Sequence, residues 1–383
     1  MKITNLTLYK VPPRWLFLKI DTDEGIAGWG EPVIEGRADA VRACVEEFRG
    51  LITGKDPSRI EDIWQMMYRG GFYRGGPEVM SAIAGIDQAL WDIKGKYYNM
   101  PVFEMLGGAY RDKVRMYGHL KPTGHPGDFP IPDMLKITDK RLADGFTVMK
   151  YSIIPPIRPI DNMEMVDKVV ERFAAVRERV GKKVDIAIDF HGRVSPAMSI
   201  RLLKALEPYY PLFVEEPVLP ENVDEMVRVS RSTTIPIAAG ERLFTKFGFR
   251  ELIEKQAVSV VQPDLCHCGG IFEARKIAAM AETYYMQIAP HNPLGPISLA
   301  ACMQLDACVP NLLAQEHPGM PDHADLGVGI LKTPFKIEDG YIRIPEGPGL
   351  GIEVDESKLD ALRFDGTWDT PHLEFEDGSI ADW

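Results

Sequence analysis

The sequence predicts an α/β protein whose larger part is a parallel (β/α) barrel, and three observations carry that prediction. First, from about residue 113 to residue 317 short apolar runs recur, each followed by a longer amphipathic segment, the rhythm of βα units on a parallel sheet. The runs are Val114–Gly118, Phe146–Ile153, Val184–Phe190, Leu212–Val218, Ile235–Gly240, Val258–Asp264, Met286–Pro290 and Asn311–Gln315. Second, their number suits a closed barrel better than a doubly wound sheet, and no Gly-x-Gly-x-x-Gly turn or phosphate-binding loop opens the first unit. Third, ionisable residues gather at the ends of these runs, where parallel barrels carry their chemistry.

The segments before and after the barrel follow other patterns. Lys2 to Tyr9, Leu16 to Ile20 and Ile26 to Gly30 alternate as a three-strand meander with a turn at Asp23-Glu24-Gly25. Pro12-Pro13-Arg14-Trp15 interrupts the first pair, and its tryptophan is expected to be packed. Ile83, Ile86, Leu90 and Ile93 then step by three and four, the apolar stripe of a helix. Ahead of that helix, Arg69 to Pro77 holds four glycines, two arginines and two aromatics, the composition of a loop able to close over an anion. After the eighth run the helical alternation stops. Phe335 to Ile344 reads as a hairpin turning at Asp339-Gly340, and the tail to Trp383 is expected to return to the N-terminal region. The expected division is therefore residues 1–112, 113–334 and 335–383.

Composition narrows the function. A net charge of −12 argues against a nucleic-acid partner. Five cysteines, odd in number and sparse for 383 residues, fit reduced thiols and a cytoplasmic setting. Cys266-His267-Cys268 lacks the ligand spacing of a zinc site. The first residues alternate instead of forming a basic segment before an apolar run, so neither a signal peptide nor a membrane span is expected.

The strand Val184–Phe190 is the centre of the site. It ends at Asp189, and alternation puts Asp189 and His191 on one side. The other ends supply Lys150, Glu215 with Glu216, Glu241, Asp264, His291 and Glu316. Asp189 to Glu215 and Glu215 to Glu241 are both 26 residues apart (215 − 189 and 241 − 215), one βα unit each. Three carboxylates on consecutive strand ends would repel one another without a cation. Oxygen-only ligation favours Mg²⁺ over zinc. Asp264 and His291 end neighbouring strands, and a carboxylate on one imidazole nitrogen makes the other a better base. A cation that holds a carboxylate beside such a base implies abstraction of the proton alpha to that carboxylate.

These residues, with Gly25–Ala38, Gly71–Pro77, Ser81–Lys96, Asp189–Val194, Phe213–Val218, Ala238–Arg242 and Ala289–Pro296, resemble the enolase superfamily. The likeness is to its mandelate racemase group, and within it to the dehydratases that act on D-galactonate. It implies a (β/α)₇β barrel under an α+β cap formed by the N-terminal region and the C-terminal tail. It implies Mg²⁺ on Asp189, Glu215 and Glu241, and a small sugar acid as substrate. His291, supported by Asp264, would take the C2 proton; His191 would protonate the departing C3 hydroxyl; Glu316 would help stabilise the enolic intermediate. It also implies self-association into a homo-oligomer. Racemases of this group carry Lys-x-Lys on the second strand; here Lys150-Tyr151-Ser152 leaves no second base, which disfavours racemisation. The related dehydratases carry Asn where this chain has Ser152. The stretch Tyr117 to His125 after the first strand departs further, and His119 and His125 are additional candidates for contacts to the substrate.

Overall fold

The computed structural model describes residues 1–120, 130–152, 156–320, 322–368 and 370–383; His125 lies outside them. The chain opens with β1 (Ile3–Val11), β2 (Trp15–Thr22) and β3 (Ala27–Gly30), then α1 (Ala38–Ile52), α2 (Ile60–Arg69), α3 (Pro77–Tyr98) and α4 (Val102–Met105). The βα units are β4 (Lys113–His119) with α5 (Ile131–Ala143), β5 (Val148–Ser152) with α6 (Met163–Val180), and β6 (Asp185–Asp189) with α7 (Pro196–Leu206). They continue with β7 (Val214–Glu215) and α8 (Val223–Ser230), then β8 (Ile237–Ala239) and α9 (Thr245–Glu254). The last are β9 (Val260–Val261) with α10 (Ile271–Glu282) and β10 (Gln287–Ile288) with α11 (Pro296–Cys308), before the final strand β11 (Gln315–His317). The tail adds β12 (Tyr341–Arg343), α12 (Glu356–Ala361), β13 (Leu373–Glu374) and β14 (Ile380–Ala381).

The eight strands β4 to β11 pair in parallel in the order β10-β9-β8-β7-β6-β5-β4-β11. A parallel bridge from Ile288 to Leu312 joins the two ends, so the sheet closes as a barrel of seven βα units and one more strand. The eighth strand pairs along its apolar run on one side and runs past it on the other. Asn311 to Leu313 pairs first with β10, through Ile288 N to the Asn311 carbonyl and Leu313 N to the Ile288 carbonyl (both 2.8 Å), and pairing with β4 begins at Gln315, which brings Glu316 inside the strand opposite Tyr117.

Antiparallel β1-β2-β3 and the first helices form the cap. Its tryptophan Trp15 is fully buried at the start of β2. The axis of the assembly is α3. Its stripe is only part of what it buries, because nearly every residue from Met80 to Ile93 is covered, as expected of a helix between two layers. Its polar side chains face the layers they tie. Asp92 accepts from Trp29 N (2.9 Å) and Leu350 N (2.9 Å), Asp87 from Ile271 N (2.7 Å), and Gln88 spans Glu31 N (2.8 Å) and the Leu265 carbonyl (3.0 Å). Cap, barrel and tail thus share one helix.

Asp339 (φ 50°) and Gly340 (φ 74°) both take the left-handed region, as a two-residue hairpin turn of this kind demands. The returning strand β12 then pairs antiparallel with β4, lengthening the barrel sheet. From Glu356 to Gly366 the tail lies on the cap: Glu356 meets Lys19 (2.8 Å), and Lys10 donates to the Gly366 carbonyl (2.5 Å). The final hairpin β13–β14 turns to the barrel instead, where Arg158 reaches Asp377 (3.4 Å) and lies over the Phe375 ring. Among the described residues no helix is long and apolar enough to cross a membrane.

Candidate active site

Period-two alternation builds the site. One layer inside the barrel is Tyr117, Val148, Ala187, Phe213, Ala238, Val260, Ala289 and Ala314, one residue from or beside each strand. Two residues further along, toward the C-terminal ends, come His119, Lys150, Asp189, Glu215, Gly240, Gln262, His291 and Glu316. Side chains two apart on a strand share a face, so an apolar floor carries a ring directly above it in which six of eight positions are ionisable. Gly240 breaks the ring: at φ 152° its Cβ would stand 2.8 Å from the Gln262 backbone. The fifth strand therefore delivers its carboxylate one residue later, from Glu241.

Ligand atoms of Asp189, Glu215 and Glu241 lie within 4.8 Å of one another. Asp189 and Glu215 are buried, and Glu241 keeps 15% of its side chain exposed. Glu241 Oε2 has no hydrogen-bond partner among the described residues. The Lys150 ammonium lies within 2.9 Å of both Glu215 oxygens, 2.5 Å from Glu316 Oε1 and 3.5 Å from Asp189 Oδ2. One cation cannot offset all these acids, and the remainder falls on Glu215. Burial first, then Asp189, Glu316 and Glu241, push the Glu215 carboxyl well above its ordinary range despite Lys150. A compact, half-open set of hard oxygen donors with excess negative charge fits a divalent cation such as Mg²⁺.

The two imidazoles stand at opposite ends of this triad. His191 Nε2 is 2.8 Å from Asp189 Oδ2, the first acid; His291 Nε2 is 3.3 Å from Glu241 Oε2, the last. Simple alternation is not what places His191. Strand β6 ends at Asp189, and His191 adopts φ 51°, a left-handed backbone that histidine tolerates better than most residues. Its own N–H donates to Asp189 Oδ1 (2.8 Å), which turns the ring back over the carboxylate. Arg193 Nη2 donates to His191 Nδ1 (3.0 Å), so the proton of the neutral ring belongs on Nε2. Arg242 holds the His191 carbonyl (2.8 Å) and pairs with Glu216 (3.0 Å).

His291 Nδ1 lies 2.7 Å from Asp264 Oδ2, while Asp264 Oδ1 accepts from Cys266 N (2.7 Å). Burial opposes a charge on His291, but Glu241, Glu316 and Asp264 outweigh it and hold its pKa well above the ordinary value. Glu316 Oε2 accepts from Asn292 N (2.8 Å) and is 3.9 Å from His291 Nε2. Burial disfavours its charge too, yet Lys150, His291 and His119 keep it ionised.

The structure thus gathers all seven residues singled out as ligands, acids and bases around one mouth. Lys150 was legible only as an ionisable strand end, and Arg193 and Arg242 carried no periodic signal. The cap touches the rim through Arg14, bonded to the Pro293 carbonyl (3.1 Å) and Glu35 (2.7 Å), and through Glu31, which accepts from Gly295 N and Ser298 N (both 2.8 Å). The glycine-rich loop stands out from the cap with Phe72 and Tyr73 both 92% exposed.

Comparison with known proteins matches this geometry to a family. Residues 10–107 fit the mandelate racemase/muconate lactonizing enzyme N-terminal domain, and residues 133–358 the enolase C-terminal domain-like family. The chain belongs to the mandelate racemase/muconate lactonizing enzyme family of the enolase superfamily. Members similar over their whole length include the D-galactonate dehydratases of Ralstonia pickettii (50% identical over 389 residues) and Variovorax paradoxus (49%), each covering 100% of both chains. A mandelate racemase/muconate lactonizing enzyme-like protein from Roseovarius sp. TM1035 superimposes with a TM-score of 0.90 at 36% identity, covering 100% of both chains. The mandelate racemase/muconate lactonizing enzyme from Sulfitobacter sp. gives 0.89 at 36%, covering 98% of this chain and 100% of its own.

Proposed function

We propose that this protein is a hydro-lyase that dehydrates an aldonic acid, D-galactonate first, to a 2-keto-3-deoxy sugar acid. The observation that carries the reading is the pair of imidazoles at the two ends of a three-carboxylate cluster, on a chain half identical to D-galactonate dehydratases. Asp189, Glu215 and Glu241 would hold Mg²⁺, which supplies Lewis-acid neutralisation of the substrate carboxylate. His291 Nε2, its ring fixed by Asp264, takes the C2 proton. The electron pair left at C2 forms the C2–C3 double bond as the C3–O bond breaks, and His191 gives a proton to the departing hydroxyl. The enol so formed tautomerises to the 2-keto acid. Glu316, held by Lys150, would help stabilise the enolic intermediate. Ser152, paired in register with Asp189, offers no second base, which supports dehydration over racemisation.

The test is a panel of C5 and C6 aldonates with Mg²⁺, scored for a semicarbazide-reactive product. D-galactonate turnover is expected. Turnover of gluconate, mannonate or xylonate alone would move the substrate, and no turnover of any aldonate would reject the class.

A further inference from the structure

Among the ionisable members of the ring above the barrel floor, His119 is the one to which the reaction gives no part. His119 closes β4 two residues beyond Tyr117, so its side chain shares the barrel-facing side of the strand. Its Nε2 lies 2.7 Å from Glu316 Oε1, the oxygen that Lys150 also holds at 2.5 Å. The other oxygen, Oε2, accepts from Asn292 N at 2.8 Å and is the one nearer His291 Nε2. An ionised carboxylate offers about four acceptor positions. Among the described residues, two donors on Oε1 and one on Oε2 leave a single position, on the oxygen that faces the base. The backbone of His119 is fixed as well, paired in register with Lys150 and bonded through its carbonyl to Arg141.

We propose that His119 is a positioning residue for Glu316: its Nε2–H and Lys150 together fix Oε1, so that Oε2 presents its one remaining acceptor position beside His291. This rests on the dehydratase reading for its substrate, not for its geometry. Lys150 alone would not serve. Its ammonium is shared with Glu215 and Asp189, and a residue divided among three acids cannot by itself set the rotation of one. Among the described residues, the acid of the mouth that His119 contacts is Glu316, so its substitution acts on that carboxylate and not directly on the triad.

The experiment compares His119→Phe, His119→Asn and His119→Gln. Glutamine can present an N–H at about the reach of imidazole Nε2, whereas asparagine reaches only as far as Nδ1. His119→Phe and His119→Asn are expected to lower kcat for both C2 exchange and dehydration about 10- to 100-fold, with KM within about threefold. His119→Gln should stay within about threefold of the parent, and Mg²⁺ affinity by calorimetry should be unchanged in all three. In a Glu316→Gln background, His119→Phe should cost less than about twofold more, because the two residues act as one unit. Parental kcat in His119→Phe, equal loss in His119→Gln, multiplying losses or weakened cation binding would each overturn the proposal. If His119→Phe does not fold, the asparagine and glutamine pair still decides it. Crystal structures of the Mg²⁺-loaded variants read the same point without turnover. Glu316 should leave the Asn292 amide in His119→Asn and keep it in His119→Gln, and an unmoved carboxylate in both overturns the idea. A parent inert on every aldonate would reject the substrate reading alone.

Discussion

Replacing His191 by asparagine separates the two proton transfers. His191 and His291 touch different ends of the acidic triad, and each has its own support: Arg193 behind one, Asp264 behind the other. His191→Asn keeps a polar side chain but cannot reach the position of Nε2, so the donor for the C3 hydroxyl is lost while the C2 base is untouched. General acid catalysis is worth roughly 10²- to 10⁴-fold, about 3–5 kcal/mol of barrier, and dehydration should fall by that factor. Hydrogen–deuterium exchange at C2 should continue within about tenfold of the parent, since its machinery stays in place. The variant should keep its stability within about 1 kcal/mol, because the asparagine amide reaches the position of Nδ1 and can still accept from Arg193 Nη2. The assay is proton NMR in D₂O with D-galactonate and Mg²⁺, following loss of the C2 signal and appearance of the monodeuterated C3 signal of the product. Retained dehydration would refute the role of His191; exchange and dehydration lost together would refute the independence of the two ends.

Lys150→Met removes the ammonium that Asp189, Glu215 and Glu316 share, and should cost about 3–5 kcal/mol in metal-free urea unfolding, partly recovered by saturating Mg²⁺. In the metal-free protein the Glu215 carboxyl and the His291 imidazole both hold protons to higher pH than usual, so cation binding must displace protons and its affinity must rise with pH. Calorimetry in two buffers of different ionisation enthalpy measures this, and heats independent of buffer would contradict it. Burial lifts the Asp87 carboxyl to about 8, even though it accepts from Ile271 N. A carboxyl raised in the folded state favours folding fully below its unfolded pKa of about 4, and that contribution is lost as pH rises through about 8. Asp87→Asn keeps the acceptor for Ile271 N and should flatten the fall in stability between pH 5 and pH 9 by a few kcal/mol, of the order implied by a shift of about four units. An unchanged pH slope would refute this.

Much of the barrel could be read from the chain because its determinants are local. A short β-branched run followed by a helical period specifies a βα unit whatever surrounds it, and the acids at the run ends were visible for the same reason. Sequence says less where structure depends on distant partners. The eighth strand pairs with β10 at Asn311–Leu313 but with β4 only from Gln315, a stagger that no window around residue 311 reveals. Only the covering layers show why α3 is buried beyond its stripe, and the tail divides between cap and barrel because Arg158 meets Asp377 across 219 positions.

His191 shows the limit most plainly. Alternation put it beside Asp189, and it is there, but through a left-handed turn and a bond from its own amide instead of a continued strand. The extended alternative would carry the chain onward along the barrel wall. The bend holds the ring against the first acid of the triad and lets Arg193 approach Nδ1 from behind. Backbone strain in this position costs of order 1–3 kcal/mol and persists only where surrounding bonds enforce it. Here the enforcing bonds are Gly192 N to the Glu216 carbonyl (2.9 Å) and Arg242 to the His191 carbonyl (2.8 Å), both from the neighbouring strand ends that also supply carboxylates. The same two strand ends therefore furnish acids of the triad and hold the bend, so a substitution that releases the bend, such as Arg242→Ala, should weaken dehydration without removing any ligand of the cation.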